Sequence, residues 1–140
     1  MIQGPPQIPP NPEKMEFKIL YPGDEYVFAS FNNESKRLIV QPGERVIIAG
    51  ENTGISLSEM FNNYFFINSI YVNEALRKRG VGYNLCNEAT KLAKVEGKKG
   101  LLSTKFWRNI GSDGILQHFK NEGRTNTITL NGEKFDVILC

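Results

Sequence analysis

Hydrophobic and polar positions follow different periods in successive stretches of this chain, and the changes of period mark its elements. Residues 64–72 form an aromatic and β-branched run that predicts a mostly buried strand. From Val81 the period lengthens. Val81, Leu85, Cys86, Ala89, Leu92 and Ala93 share one helical face, with Asn84, Asn87, Glu88, Lys91 and Lys94 on the other. Gly97 to Gly100 supplies the glycines and cations that suit a helix C-terminus. Residues 101–104 then predict a short strand, which a strand–helix–strand unit places parallel to the first.

Elsewhere the pattern is shorter-ranged. Residues 16–20 begin by alternating and predict an opening strand, stopped by Tyr21-Pro22-Gly23-Asp24. Residues 25–31 suit a short helix capped by Asp24 or, equally, a strand through Tyr26-Val27-Phe28. The strand-like runs 37–40 and 45–49 flank Gln41-Pro42-Gly43-Glu44 and predict an antiparallel hairpin. Residues 50–63 are polar and turn-rich, and are expected to be loop with room for one helical turn at 57–61. Ser112 or Asp113 caps a second helix with Ile115, Leu116 and Phe119 on its apolar face and Gly123 as its stop. Two final strands, 127–130 and 134–139, flank Asn131-Gly132, a strong hairpin signal.

Composition narrows the class. A chain of 140 residues is one domain's worth, and a net charge of +2 without a basic stripe argues against a nucleic-acid partner. The two cysteines, Cys86 and Cys140, have neither the density of a disulfide scaffold nor the spacing of a zinc site, so no metal is expected. Five of the seven prolines fall in residues 1–14, which are expected to form a flexible tail ahead of a domain spanning 15–140. No apolar run approaches a membrane span and no signal-peptide pattern opens the chain, so no membrane is expected and a cytoplasmic setting is.

The candidate chemistry lies between the long strand and the long helix, at Arg77-Lys78-Arg79-Gly80-Val81-Gly82. The first turn of a helix leaves backbone N–H groups without intrahelical partners and carries the positive end of the helix dipole. Glycines let a phosphate approach that backbone, and Arg can fork onto two phosphate oxygens. A basic triplet is by itself usually a solvated face; the strand before it and the helix after it make a diphosphate cradle the stronger reading. The Gly-Lys-Ser/Thr ending of a P-loop is missing, and Leu85 stands where a dinucleotide fingerprint needs a third glycine.

In Val72, Arg77, Gly80, Gly82 and Leu85 the chain resembles the GNAT superfamily of acyl-CoA-dependent N-acyltransferases, whose signature has these residues in this register. The resemblance implies an α/β (α+β) fold, a single mixed sheet with flanking helices, over nearly all of 15–140. It tips 25–31 towards helix. It implies acetyl-CoA as cosubstrate, with Ile70, Tyr71 and Val72 along the pantetheine arm, Arg77, Lys78, Arg79, Gly80, Val81 and Gly82 around the diphosphate, and Asn109 in reach of the coenzyme. The partners are then an acyl-CoA and an amine acceptor. Many relatives carry an acidic Tyr four residues before the glycine that ends the second helix; counting back from Gly123 gives Phe119, which has no proton to donate. Residues 64–72 hold no carboxylate, leaving Ser69 and the lone His118 as catalytic candidates. The alternative is a module that binds acyl-CoA with little or no turnover.

Overall fold

The structure, a computed structural model, describes residues 15–29, 35–50, 52–73, 80–103 and 113–140. The proline-rich segment, Arg77 to Arg79, Thr104, Asn109 and Ser112 lie outside the described residues.

Nine strands and two helices are seen among the described residues. They run β1 (Lys18–Leu20), β2 (Glu25–Ala29), β3 (Ser35–Ile39), β4 (Glu44–Ile48), β5 (Gly54–Met60), β6 (Tyr64–Tyr71), α1 (Val81–Val95), β7 (Gly100–Ser103), α2 (Asp113–Asn121), β8 (Thr125–Leu130) and β9 (Glu133–Leu139). Seven strands form one mixed sheet in the order β1-β4-β5-β6-β7-β9-β8, and β2 and β3 pair as a separate antiparallel ribbon. Every contact in the large sheet is antiparallel except β6 with β7.

The expected strand–helix–strand unit is present. All six apolar positions assigned to the face of α1 are buried, and they pack with Ile47, Ile55, Leu57, Phe65, Ile67, Leu101 and Ile138 of the sheet and Leu116 and Phe119 of α2. Burying each such large side chain contributes about 1.5–3 kcal/mol, so this one face of the sheet carries the main core. Helix α1 ends as its glycines require: Gly97 has φ +77°, the Lys98 N–H reaches the Ala93 carbonyl at 2.8 Å, and the Gly97 N–H reaches Lys94 at 3.1 Å. At the chain's end, Asn131 and Gly132 both take positive φ, 51° and 80°, and join β8 to β9 in the expected hairpin.

Three expectations are corrected, all before β6. The segment from Glu25 is a strand, because pairing with β3 satisfies its backbone and lays Tyr26, opposite Leu38, over a second core cluster of Leu20, Val40 and Val46. The turn at Gln41–Gly43 forms, with Glu44 N–H on the Gln41 carbonyl at 3.0 Å, but its flanking strands do not pair. β3 pairs with β2, whereas β4 inserts between β1 and β5. Finally, residues 54–60 are strand, not loop or helical turn. Ile55 and Leu57 are buried towards α1, and Ser56 and Ser58 take the other face.

Candidate active site

The site is built on β6. One edge of β6 pairs with β5 along its length, and the register shifts so that Ser56 faces Ser69 while Leu57 faces Ile67. Asn68 is the extra residue of this bulge, and its amide donates to Ser58 Oγ at 2.6 Å. The bulge resets the alternation. Phe65 and Ile67 point into the helix-side core, then Ile70 and Val72 do, which leaves Ser69 on the opposite face. Along the other edge the described ladder to β7 covers Tyr64 to Phe66, opposite Gly100 to Leu102; residues 104–110, which follow β7 in the chain, lie outside the described residues.

The chain leaving β6 is held at Asn73, whose N–H donates to the buried Thr53 hydroxyl at 3.0 Å. Beyond the basic triplet, Gly80 is the N-cap of α1 at φ 79° and ψ 10°, with no side-chain cap hydrogen bond among the described residues and no acidic residue in the helix's first turn. A Cβ built on Gly80 meets nothing within 4 Å among the described residues, and Gly80 is exposed. Val81 is 1 % exposed and anchors the turn in the core. Gly82 serves packing: a Cβ there would lie 2.6 Å from Ile115 Cδ1 and 3.8 Å from Ile70 Cδ1, so its bareness lets α2 close over β6. A helix start at an exposed glycine fits a diphosphate, with Arg77, Lys78 and Arg79 next to it in sequence.

On the far face of the sheet, a cavity of about 220 Å³ opens under the β2–β3 ribbon. Tyr26 and Leu38 line it from the ribbon, Gly54 and Ser56 from β5, and Ser69 and Tyr71 from β6. Burial raises the Tyr26 hydroxyl pKa, and the charge of Glu44 raises it further. Of these residues the sequence reading singled out Ser69 and Tyr71 alone. The strict alternation Ile55-Ser56-Leu57-Ser58 was a usable signal for β5; nothing local pointed to Tyr26 or Leu38.

His118 does not join this group. It is exposed on the outer side of α2, stacked on the Tyr83 ring at 4.0 Å between centroids, on the helix side of the sheet and away from Ser69. The Tyr83 hydroxyl is hydrogen-bonded to both oxygens of Glu122, at 2.8 and 2.9 Å, latching α1 to the end of α2. Phe119 is wholly buried, 4.7 Å from the Tyr83 ring and under the Arg124 guanidinium at 4.8 Å. Among the described residues no cluster of His, Cys, Asp or Glu could hold a metal ion.

Comparison with known families settles what this arrangement belongs to. The family model described as "Acetyltransferase (GNAT) family" matches residues 11–118. The chain belongs to the GNAT family. A putative streptothricin acetyltransferase from Bacillus anthracis str. Ames, solved in complex with acetyl coenzyme A, shares its fold with a TM-score of 0.50 at 19 % identity, over 89 % of this GNAT chain and 85 % of the other. An acetyltransferase of the GNAT family from Staphylococcus aureus Mu50 aligns at TM-score 0.49 and 16 % identity, over 67 % of this chain and 66 % of its own. A nourseothricin acetyltransferase aligns at TM-score 0.47 and 17 % identity, over 87 % and 94 %. Among curated proteins, none matches. The GNAT fold expected from the signature is therefore present, with a two-stranded ribbon in addition to the large sheet.

Proposed function

We propose that this GNAT chain transfers an acetyl group from acetyl-CoA to the amine of an acceptor. The observation that carries the reading is the start of α1 at the exposed Gly80, the next described element after β6, whose Ser69 and Tyr71 line the cavity on the far face of the sheet. Gly80, Val81 and Gly82 present backbone N–H groups to the diphosphate, with the charge of Arg77, Lys78 and Arg79 and with Asn109 as a further contact. Ile70, Tyr71 and Val72 line the pantetheine arm. Acetyl-CoA supplies a thioester carbon open to attack by an unprotonated amine. Ser69 stands where a hydroxyl can hold the amine or a water, and much of the acceleration comes from holding the reactants together. His118, outside the cavity, is left no direct part in this scheme. Both cysteines are free thiols, in keeping with a reducing, cytoplasmic compartment.

The test is calorimetric titration with acetyl-CoA, followed by assay of coenzyme A release across a panel of amines. Saturable binding that weakens at least tenfold in Arg77→Glu supports the donor site; unchanged affinity removes it. A second reading, an acyl-CoA-binding module without turnover, is favoured by the buried Phe119 and by the absence of a carboxylate from β6. Binding without coenzyme A release from any amine would establish it.

A further inference from the structure

We propose that the outer edge of β8 is a self-association surface, to which a second copy of this chain adds its own β8, antiparallel, about a two-fold axis at Thr127. The inference is independent of the acetyl-transfer reading. β8 ends the large sheet, and no strand among the described residues pairs with its outer side. The two-residue hairpin decides which backbone groups face outward. Its closing pair, Leu130 and Glu133, exchanges both bonds, and the pairs alternate from there, so Leu130, Ile128 and Asn126 turn their N–H and C=O groups to β9. The Arg124 carbonyl keeps the same phase, accepting the Leu139 N–H at 2.8 Å. Thr125, Thr127 and Thr129 therefore direct their backbone groups away from the sheet. The Thr127 N–H is bonded to Oδ1 of its own exposed neighbour, Asn126, at 2.9 Å, a bond that a carbonyl of an added strand can replace.

Edge strands are commonly kept from pairing by shortness, lysine or proline. β1, at the other end of the sheet, has three residues and carries Lys18, whereas β8 has six and carries neither a charge nor a proline. Its three outward threonines also make it complementary to itself. With Thr127 opposite Thr127 of the second copy, Thr125 lies opposite Thr129, and each pair exchanges both of its bonds. Moving the axis to Ile128 would set Thr125 against Asn131, and moving it to Asn126 would set Thr129 against Gly123; both of these have left the strand, at φ 51° and 71°. On the far face Ile128, packed against Leu102, Phe135 and Val137, becomes a diagonal neighbour of its copy, so the apolar layer continues across the joint. The two Asp136 residues, each opposite Thr127 on β9, stand three strand spacings apart, about 14 Å, beyond a Debye length of about 8 Å. Because each copy uses the same edge, the pairing closes as a dimer and does not propagate.

The experiment is sedimentation equilibrium of the full chain, with cross-linking to read the register. One strand pair buries less than the about 1,200 Å² of stable complexes, so the expected result is a dimer that dissociates on dilution through the micromolar range. Thr127→Lys sets like charges opposite each other at the axis and should weaken association at least tenfold, with the melting temperature little changed because Thr127 is exposed and makes no bond to β9. In a Cys140→Ser background, where the remaining Cys86 is buried, a short bis-maleimide should join T127C to itself, since these positions meet at about 5.5 Å between Cα atoms. It should leave T129C unlinked, its copies being about 14 Å apart, yet join T129C to T125C when the two are mixed. A monomer at every concentration overturns the proposal, as does a dimer indifferent to Thr127→Lys, or T129C linking to itself as readily as T127C.

Discussion

Thr53 and Asn73 are 20 residues apart in sequence, yet the Asn73 N–H donates to the Thr53 hydroxyl at 3.0 Å, with Thr53 fully buried. Thr53 is itself fixed by the turn it ends, where its carbonyl accepts the Ala49 N–H at 2.9 Å. The β4–β5 turn therefore determines where the chain leaves β6 on its way to the cradle. Thr53→Val keeps the shape and removes the acceptor, leaving a part-buried N–H short of one partner. The expected loss is about 1–3 kcal/mol of stability in urea denaturation, together with weaker acetyl-CoA binding. A variant with unchanged stability and affinity would show that this bond does not position the cradle.

Gly82 should tolerate Ala and reject Leu. The atom a Cβ would strike is the tip of the Ile115 side chain, which can turn aside, and Ala favours a helix over Gly by about 0.8–1.0 kcal/mol. Gly82→Ala is therefore expected within about 1 kcal/mol of wild type, whereas Leu overpacks the contact between α1, α2 and β6 and costs about 1–3 kcal/mol. Thermal melts of the two variants distinguish this from a model in which Gly82 is needed only for ligand approach. In that case both would fold as well as wild type and differ only in acetyl-CoA affinity.

Restoring a tyrosine at Phe119 should not create an acid. The ring is wholly buried against Tyr83 and Arg124, so a hydroxyl added there must be buried as well. Phe119→Tyr is expected to cost about 1–3 kcal/mol and to leave kcat for acetyl transfer no higher. A rise in kcat of tenfold or more would show that the side chain reaches the reacting atoms.

Stability should fall in alkali, and Cys86 should set where the fall begins. Burial pushes its thiol from 9.0 up to about 12. Above pH 9 the unfolded chain releases this proton while the folded chain keeps it, so the contribution is complete below pH 9 and is lost as pH rises towards about 12, at about 1.4 kcal/mol per unit. Tyr83 adds to the decline above pH 10, because burial and then the hydrogen bond and charge of Glu122 raise its pKa. Urea midpoints between pH 8 and 11 should fall less steeply in Cys86→Ala than in wild type; parallel curves would contradict the assignment.

The sequence by itself determined the second half of the fold. The period of α1, the Asn131-Gly132 turn and the parallel placement of β6 and β7 depend on local patterns, because a long helix and a two-residue hairpin are specified by residues close in sequence. The resemblance carried by Val72, Arg77, Gly80, Gly82 and Leu85 was legible for the same reason: a helix start preceded by glycine is a local object. Only the tertiary structure decided the first half. Glu25 to Ala29 has no preference strong enough to choose helix or strand, and it becomes a strand because Ser35 to Ile39 pairs with it over Leu20, Val40 and Val46. The same distant packing builds the cavity that joins Tyr26 and Leu38 to Ser69, and the bulge at Asn68 turns Ser69 to that face. Contacts between residues tens of positions apart fix those choices, and no periodicity along the chain records them.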